Sequence, residues 1–174
     1  MKNKKSLLKI SYTAIFTAII LLSTMLIKFS TGLGEGYIHF GDCFIYLSAC
    51  VLPFPYCLIA AALGGALADI LGGFAVWAIP TAIIKVLISL PFMLIRKNKA
   101  LKLINVKVSL MTIASGVISI LGYFVAECVL YSVASATLSI IGNTIQAVTS
   151  GILFVIIASA LDKMNFKSRV FKGV

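Results

Sequence analysis

The chain has 174 residues, of which 61% are hydrophobic and only 11% are charged, and its mean hydropathy is +1.12. An ordinary soluble domain is roughly 25% charged and about 45–50% apolar. A soluble core of this length could not hide so much apolar surface, so the composition excludes a soluble globular protein, a disordered chain and a secreted disulfide scaffold. We therefore predict an all-α integral membrane protein. At about 20 residues per span, the length allows about six membrane-spanning helices and no separate soluble domain.

The basic residues are unevenly distributed along the chain. The net charge is +10, and 13 of the 15 lysines and arginines fall in three segments: the N-terminus, the loop 96–107 and the C-terminal tail. In a soluble protein such a charge would suggest nucleic acid. Here no aromatic residues are interleaved with the basic ones as a single-strand platform requires, so we expect no nucleic-acid partner. Lysine and arginine of membrane proteins are enriched on the cytoplasmic side, which predicts that side for all three segments.

Six apolar segments predict six transmembrane helices. The proline-containing segment 53–55 ends the second helix, and the Gly72-Gly73 pair ends the third. Asp42 is predicted to cap the second helix, and Pro80 is predicted to kink the fourth. The second helix is short for a span of about 20 residues, so we expect it to be tilted or partly re-entrant. The predicted helices are residues 7–27, 42–52, 55–71, 74–95, 108–131 and 137–161.

An even number of spans places both termini and the loop 96–107 on one side, which their basic residues identify as cytoplasmic. The loop 29–41, the Gly72-Gly73 turn and the turn 132–136 then face outward. We expect residues 1–174 to form a single six-helix domain in the cell membrane, with the outer loop 29–41 as a lid.

Polar residues in the fourth helix form one stripe. Trp77, Thr81 and Lys85 follow one another at four-residue intervals, so they share a face. Charged groups in hydrocarbon are costly and usually face a cavity or a partner. This face either contacts a ligand, with Lys85 reaching an anionic or acceptor atom, or it is structural, with Lys85 snorkelling or paired with an acid.

The fifth and sixth helices carry a second group of polar residues. Tyr123 and Glu127 lie in the outer half of the fifth helix, and Asn143 and Gln146 lie in the outer half of the sixth. A short turn joins the two helices, so we expect them to be antiparallel neighbours. These side chains lie about 5–15 Å from the outer end at about 1.5 Å per residue. They either line a small-molecule pocket or hydrogen-bond the helices to each other.

Further polar residues are expected near the same outer end. Tyr37 and His39 lie on the outer loop and Asp42 opens the second helix, so they either cover the pocket mouth or belong to a solvated connection. Asp69 ends the third helix, where a carboxylate opposes the helix dipole. We expect a structural role for Asp69, either in a pair with Lys85 or Lys28 or as a cap of the next helix.

Nothing in the sequence supports catalysis or a metal site. The chain has no phosphate-binding GxxxxGK[ST] loop, no GxSxG elbow and no HExxH motif, and its acids are scattered rather than paired. His39 is the only histidine, and the four cysteines form no CxxC pair. We therefore expect buried apolar cysteines, no metal, no cofactor and no enzymatic activity.

Several segments together resemble a known family. They are AIFTA at 14–18, GYIHFGD at 36–42, and ALAD at 66–69 followed by GG at 72–73, PT at 80–81 and Lys85. With these motifs the whole chain resembles the substrate-binding S component of energy-coupling factor (ECF) vitamin transporters. The motifs from residue 36 onward look like those of the riboflavin-type and vitamin-precursor S components.

The resemblance implies a fold, partners and a mechanism. It implies six helices, cytoplasmic termini, an outward pocket beneath the first outer loop, and a first helix whose Ala14 and Ala18 pack against a transmembrane T component. It also implies two partner ATPase subunits, which fits the missing phosphate loop. The S component would topple in the membrane to release its substrate inward. The substrate itself is left open, because relatives with the same frame bind different vitamins.

We therefore predict a high-affinity capture subunit for a small water-soluble vitamin or vitamin precursor. Pyridoxine or the thiamine pyrimidine precursor is favoured, with riboflavin next. Aromatic rings of the fourth and fifth helices could stack on a flat ring while the neighbouring polar side chains bond its edges. The alternative is a proton-coupled secondary transporter of a small metabolite, with Glu127 or Asp69 as the proton carrier.

Overall fold

The computed structural model of the protein describes residues 2–30, 37–95 and 102–170. The middle of the outer loop, residues 31–36, and the first half of the basic loop, residues 96–101, lie outside the described residues. The described chain contains seven α-helices, two short strands and a 3-10 helix. They are α1 (Lys2–Leu26), β1 (Lys28–Ser30), β2 (Tyr37–His39), α2 (Gly41–Val51), α3 (Tyr56–Leu71), the 3-10 helix (Ala75–Trp77), α4 (Ala78–Ile95), α5 (Val106–Leu130), α6 (Val133–Lys163) and α7 (Phe166–Val170).

The six predicted helices are found with small shifts of their ends. α6 begins a few residues earlier than predicted, because Ser132 caps it: its hydroxyl oxygen accepts a hydrogen bond from the Ser135 N–H at 3.2 Å. Asn105 caps α5 in the same way, by accepting from the Val108 N–H at 3.0 Å. The short helix α7 follows α6 and has no counterpart among the predicted elements.

Two predictions about helix ends need correction. Asp42 is not the N-cap of α2, because Phe40 takes that position without a side-chain hydrogen bond and Asp42 lies in the first turn. Pro80 lies in the first turn of α4, where the missing N–H costs no intrahelical hydrogen bond. This position removes the reason for the predicted kink, and Pro91 is the proline inside α4.

Helix α2 lies at the centre of the helix bundle. It packs against α1, α3, α4 and α6, while α1 contacts α3, α3 contacts α4, α4 contacts α5, and α5 contacts α6 as predicted. Nine of the 11 residues of α2 are buried, so this helix mainly faces protein rather than lipid. This burial explains how so short a helix is accommodated, whereas its predicted tilt or re-entrance stays a prediction.

Close packing of the bundle depends on two glycines of α3. A Cβ atom added at Gly64 would lie 2.7 Å from Cγ2 of Ile20, which is completely buried in α1. A Cβ atom added at Gly65 would lie 2.9 Å from Cγ of Lys85 in α4. Both distances are shorter than side chains tolerate, so the glycines let α3 approach α1 and α4 closely.

The two strands form a short antiparallel hairpin at one end of the bundle. Lys28 pairs with His39, and Ser30 pairs with Tyr37. The sequence predicted helices only, because strands of three residues carry no periodic signal. β2 contacts α6 and α1, so it packs onto the bundle and brings its side chains close to the polar residues of the helices.

Four helices are long and apolar enough to cross a membrane by length and composition: α1, α4 with the preceding 3-10 helix, α5 and α6. Their outer faces are apolar, since Ile79, Leu94 and Val129 are each at least 75% exposed. Exposed apolar surface on this scale belongs in contact with lipid. α2 and α3 are the shorter apolar helices.

Candidate functional site

A small cavity of about 40 Å³ lies at the end of the bundle that carries β2. Eight of the ten residues that line it belong to the predicted substrate site, and they come from β2, the 3-10 helix, α4, α5 and α6. The lining residues are Tyr37, His39, Asp69, Phe74, Trp77, Thr81, Tyr123, Glu127, Asn143 and Gln146. The two other predicted residues, Asp42 and Lys85, lie next to this lining and bond to it.

A buried ion pair supports the cavity. The Lys85 ammonium lies 2.6 Å from Oδ1 of Asp42, and both side chains are at most 1% exposed. The Gln146 side-chain amide donates to Oδ2 of Asp42 at 3.1 Å. Its amide oxygen accepts from the backbone N–H of His39 at 3.2 Å. One chain of polar contacts therefore joins α4, α2, α6 and β2. Of the two alternatives predicted for Lys85, this is the structural one, in which the lysine pairs with an acid.

His39 covers this network from β2. Its side chain is buried, and its Nδ1 accepts a hydrogen bond from the Gly41 N–H at 3.1 Å. Burial, together with the nearby Lys85 ammonium, lowers the pKa of His39 to about 3. The imidazole is therefore neutral at physiological pH and adds no positive charge to the cavity.

Aromatic rings form two walls of the cavity. On one wall the ring centroids of Trp77 and Tyr123 are 5.9 Å apart, and the Lys85 ammonium lies 5.1 Å from the Tyr123 ring centroid. On the other wall the rings of Tyr37 and Phe74 have centroids 5.1 Å apart. Rings in this arrangement offer flat apolar faces for stacking. Phe74 was not predicted from the sequence, because a single phenylalanine after a glycine pair looks like any lipid-facing residue.

Asp69 is a cavity residue rather than the partner of a lysine. Its Oδ1 accepts a hydrogen bond from the Tyr37 hydroxyl at 2.9 Å. Its Oδ2 has no hydrogen-bond partner among the described residues, although the side chain is only 5% exposed. Lys85 pairs instead with Asp42, which lies 43 residues away in the chain. That separation explains why sequence spacing did not reveal the pair.

The remaining polar groups complete a set that is rich in acceptors. Glu127 is 2% exposed and lines the same cavity as Asp69. The amide nitrogen of Asn143 is a buried donor with no hydrogen-bond partner among the described residues. Asp42 balances the charge of Lys85. The groups that the lining presents to a ligand are therefore carboxylate acceptors, amide groups and aromatic faces. Such a set suits a flat molecule that is neutral or positively charged and carries hydroxyl or N–H donors.

The cysteines are only partly as predicted. None of the four, all of which are described, forms a disulfide; Cys43 and Cys57 are buried as expected, but Cys50 and Cys128 are half-buried. Among the described residues there is no group of histidine, cysteine, aspartate and glutamate side chains that could hold a metal ion.

Comparison with known sequences identifies the family. The family model described as "ECF-type riboflavin transporter, S component" matches residues 4–163. The chain belongs to this S-component family. A Pyrococcus woesei protein described as "Uncharacterized protein in gap 3'region" is 31% identical to it over 133 residues, which cover 76% of this chain and 86% of that protein.

Membership of the S-component family confirms several predictions. The chain is a vitamin-type substrate-capture subunit of an ECF transporter, and therefore a transport subunit rather than an enzyme. It is also an integral, multi-pass membrane protein, in agreement with its apolar helices. Membership further implies a vitamin substrate and, as partners, a T component and ATPase subunits.

Removing Lys85 should destabilise the protein strongly. Lys85→Ala leaves the buried Asp42 carboxylate without its counter-ion, so we expect a loss of roughly 3–5 kcal/mol in the free energy of unfolding. The double variant Asp42→Asn/Lys85→Met removes both charges and should recover much of this loss. Thermal and denaturant unfolding of the detergent-purified protein measures the difference.

Lys28→Ala is the matched control for this experiment. Lys28 is exposed, and its ammonium lies 5.3 Å from the Tyr37 ring centroid at the same end of the bundle. Its removal should cost no more than about 1 kcal/mol. Equal destabilisation by Lys85→Ala and by the double variant would show that the pair does not hold the network together.

Proposed function

We propose that this S component captures a small, flat, hydroxylated heteroaromatic vitamin or vitamin precursor in the cavity beneath β2. The observation that carries the proposal is a pair of buried polar atoms without partners among the described residues, Oδ2 of Asp69 and Nδ2 of Asn143. Both residues line the same cavity as the aromatic side chains. Unpartnered buried polar atoms are costly, so a ligand that bonds them gains affinity.

The charges of the site favour some vitamins over others. Asp69 and Glu127 both line the cavity, and the lysine beside it is engaged by Asp42. A ligand carrying a carboxylate or phosphate would meet these acids without a free cation to balance them. Pyridoxine and the thiamine pyrimidine precursor instead carry hydroxyl or amino donors on an aromatic ring and have neither a carboxylate nor a phosphate.

The size of the cavity bears on the choice between these ligands. Its volume of about 40 Å³ is far below the roughly 300 Å³ at which ligand pockets usually begin. A ligand must therefore displace side chains, and Tyr37, which is hydrogen-bonded to Asp69 from the short strand β2, is the one we expect to move. A single-ring ligand requires less displacement than tricyclic riboflavin. Riboflavin is the second candidate, supported by the description of the family.

Direct identification of the ligand tests the proposal. Small molecules released from the detergent-purified protein on denaturation can be identified by mass spectrometry. Calorimetric titration with pyridoxine, the thiamine pyrimidine precursor and riboflavin then ranks their affinities, with biotin as a carboxylate-bearing control. We expect tight binding of one of the three and no binding of biotin. Tight binding of an anionic vitamin alone would refute the charge argument.

Removing hydrogen-bonding groups from the cavity should weaken ligand binding. Glu127→Gln and Asn143→Ala should each reduce affinity about five- to 150-fold, which corresponds to roughly 1–3 kcal/mol. Titration of the copurified ligand into each ligand-free variant measures the change. The melting temperature of the ligand-free protein should stay the same.

Thr144→Ala is the matched control for these variants. Thr144 is the neighbour of Asn143, but it is exposed and its hydroxyl donates to the Ile140 carbonyl of the same helix at 2.7 Å. It should leave affinity unchanged. If Glu127→Gln and Asn143→Ala bind normally but unfold more easily, these side chains hold the helices together and the ligand binds elsewhere.

We also propose that α1 to α6 all cross the membrane as one domain, with both termini cytoplasmic and the β2 end outside. Two contacts support the proposal that the short helices α2 and α3 cross the membrane. Cys50, at the end of α2, lines a cavity together with Lys107. Tyr56, at the start of α3, has its ring centroid 6.0 Å from the ammonium of Lys9. The connection between α2 and α3 therefore lies at the basic end of the bundle, which we expect to be cytoplasmic.

Single cysteines in a cysteine-free background test this topology. The positions are Ser6, Phe54, Ser132 and Asn165, all of them exposed. A membrane-impermeant maleimide should label Ser132→Cys on intact cells and the other three only after permeabilisation. Labelling of Phe54→Cys from outside would show that α2 and α3 do not cross the membrane. Labelling of both Ser6→Cys and Asn165→Cys from outside would show that the orientation is the reverse of the one proposed.

The exposed face of α1 is our proposed contact surface for the T component. Ala14 and Ala18 are exposed, whereas Phe16 and Ile20 of the same helix are buried in the bundle. Small residues four positions apart allow another helix to approach closely. ATP hydrolysis by the partner ATPases then drives uptake. In proteoliposomes supplied with ATP, uptake should survive an uncoupler, contrary to the proton-coupled alternative.

Bulky substitutions on this face should separate assembly from ligand binding. Ala14→Trp or Ala18→Trp should block copurification with the T component and abolish ATP-dependent uptake, because the indole prevents close approach. The isolated variants should bind ligand normally. Val129→Trp, on the lipid-exposed surface of α5, is the control and should assemble. Loss of ligand binding in the α1 variants would show that the alanines serve folding or the cavity instead.

A further inference from the structure

A second and larger cavity lies at the opposite end of the bundle from the candidate vitamin site. Its volume is about 400 Å³, and it lies among the ends of α2 and α4, the segment before α5, the first turn of α5, and α7. Thr81 lines the first cavity and Ile95 the second. These residues are about 21 Å apart along α4 at about 1.5 Å per residue, so the two cavities are separate.

The floor of this cavity is apolar. Phe92 and Leu103 are 1% exposed and Val108 is 7% exposed, whereas Val106 is 78% exposed. All four line the cavity. The cavity therefore leads from exposed apolar surface to a buried apolar floor, which suits hydrocarbon rather than a fully polar ligand.

The cavity also carries a concentrated positive charge. Lys102, Lys107 and Lys167 line it, and no acidic residue is among the described residues of the lining. Lys102 and Lys107 are exposed. The first turn of α5 lies in the same lining, and the N-terminal end of its helix dipole adds a partial positive charge. An anionic group would therefore be held by several cationic groups at once.

Asp162 fixes the position of this segment and places one carboxylate beside the three lysines of the lining. One carboxylate oxygen accepts from the Leu103 N–H at 2.6 Å, and the other accepts from the Ile104 N–H at 2.9 Å. The two hydrogen bonds tie the segment before α5 to α6. Lys102 is thereby held beside the floor residue Leu103, so a positive charge stays next to the apolar floor of the cavity.

We propose that this cavity binds an anionic phospholipid from the leaflet at the basic end of the bundle. The lysines would contact the phosphate headgroup, and the apolar floor would take the part of the lipid below it. Basic pockets between transmembrane helices suit such headgroups. A soluble anion would meet the same lysines but gain nothing from the floor, so the combination favours a lipid.

Native mass spectrometry of the full-length protein in detergent tests this site. The protein is titrated with phosphatidylglycerol and with phosphatidylcholine of the same acyl chains. Phosphatidylglycerol should bind at least about tenfold more tightly, because juxtamembrane lysines attract anionic lipid. The triple variant Lys102→Gln/Lys107→Gln/Lys167→Gln should lose about tenfold or more of this affinity. Val106→Trp, which fills the cavity without changing charge, should weaken binding as well.

A second triple variant removes the same charge from the same end of the bundle. Lys5→Gln/Lys9→Gln/Lys163→Gln alters lysines outside the cavity and should retain binding. Equal losses in both triples would show unspecific charge attraction and overturn the proposal. Equal affinity for the two lipids would also overturn it. So would displacement of phosphatidylglycerol by millimolar inorganic phosphate, because a soluble anion would then bind as well as the lipid. Melting temperatures verify folding, and the single variant Lys102→Gln replaces the first triple if that triple does not fold.

Discussion

The ion pair between Asp42 and Lys85 is the interaction on which the rest of the structure depends. Both charges are completely buried, and a buried charge is tolerated only with a well-placed partner. The pair therefore sets the rotation and depth of α2 against α4. Through Gln146 and the backbone of His39 it also positions α6 and β2. Three of these four elements, α4, α6 and β2, contribute residues to the lining of the candidate vitamin site, so part of its geometry follows from one electrostatic requirement.

The two ends of the bundle differ in chemistry, and this asymmetry organises the function. One end carries β2, two buried carboxylates and a group of aromatic rings around a small cavity. The other end carries lysines around an apolar cavity. The first end suits a flat neutral or cationic vitamin, and the second suits the anionic surface of a membrane. The same helices α2, α4 and α5 reach both ends, so the length of the bundle separates the acidic, aromatic cavity from the basic one.

Much of the candidate site could be predicted because helical periodicity places side chains on common faces. Thr81, Tyr123, Glu127, Asn143 and Gln146 were assigned from such stripes, and all of them line the cavity. Neither structural role expected for Asp69, a lysine partner or a cap of the next helix, is found in the described residues, and Phe74 was missed altogether. Both errors concern side chains whose neighbours come from other elements, a relation that spacing along one helix does not contain.

Membrane location, the six apolar helices α1 to α6 and the position of the basic end follow from composition and charge alone, because lipid requires apolar segments of a certain length and lysine and arginine cluster in three segments of the chain. The central place of α2 was decided by tertiary structure: a helix of 11 residues is too short to indicate its surroundings. The pairing of Lys85 with Asp42 rather than with Asp69 was decided there too, because spacing along the chain does not show which acid lies beside Lys85. Close approach at Gly65 and burial of both charges selected the one arrangement in which neither ion is left without a partner.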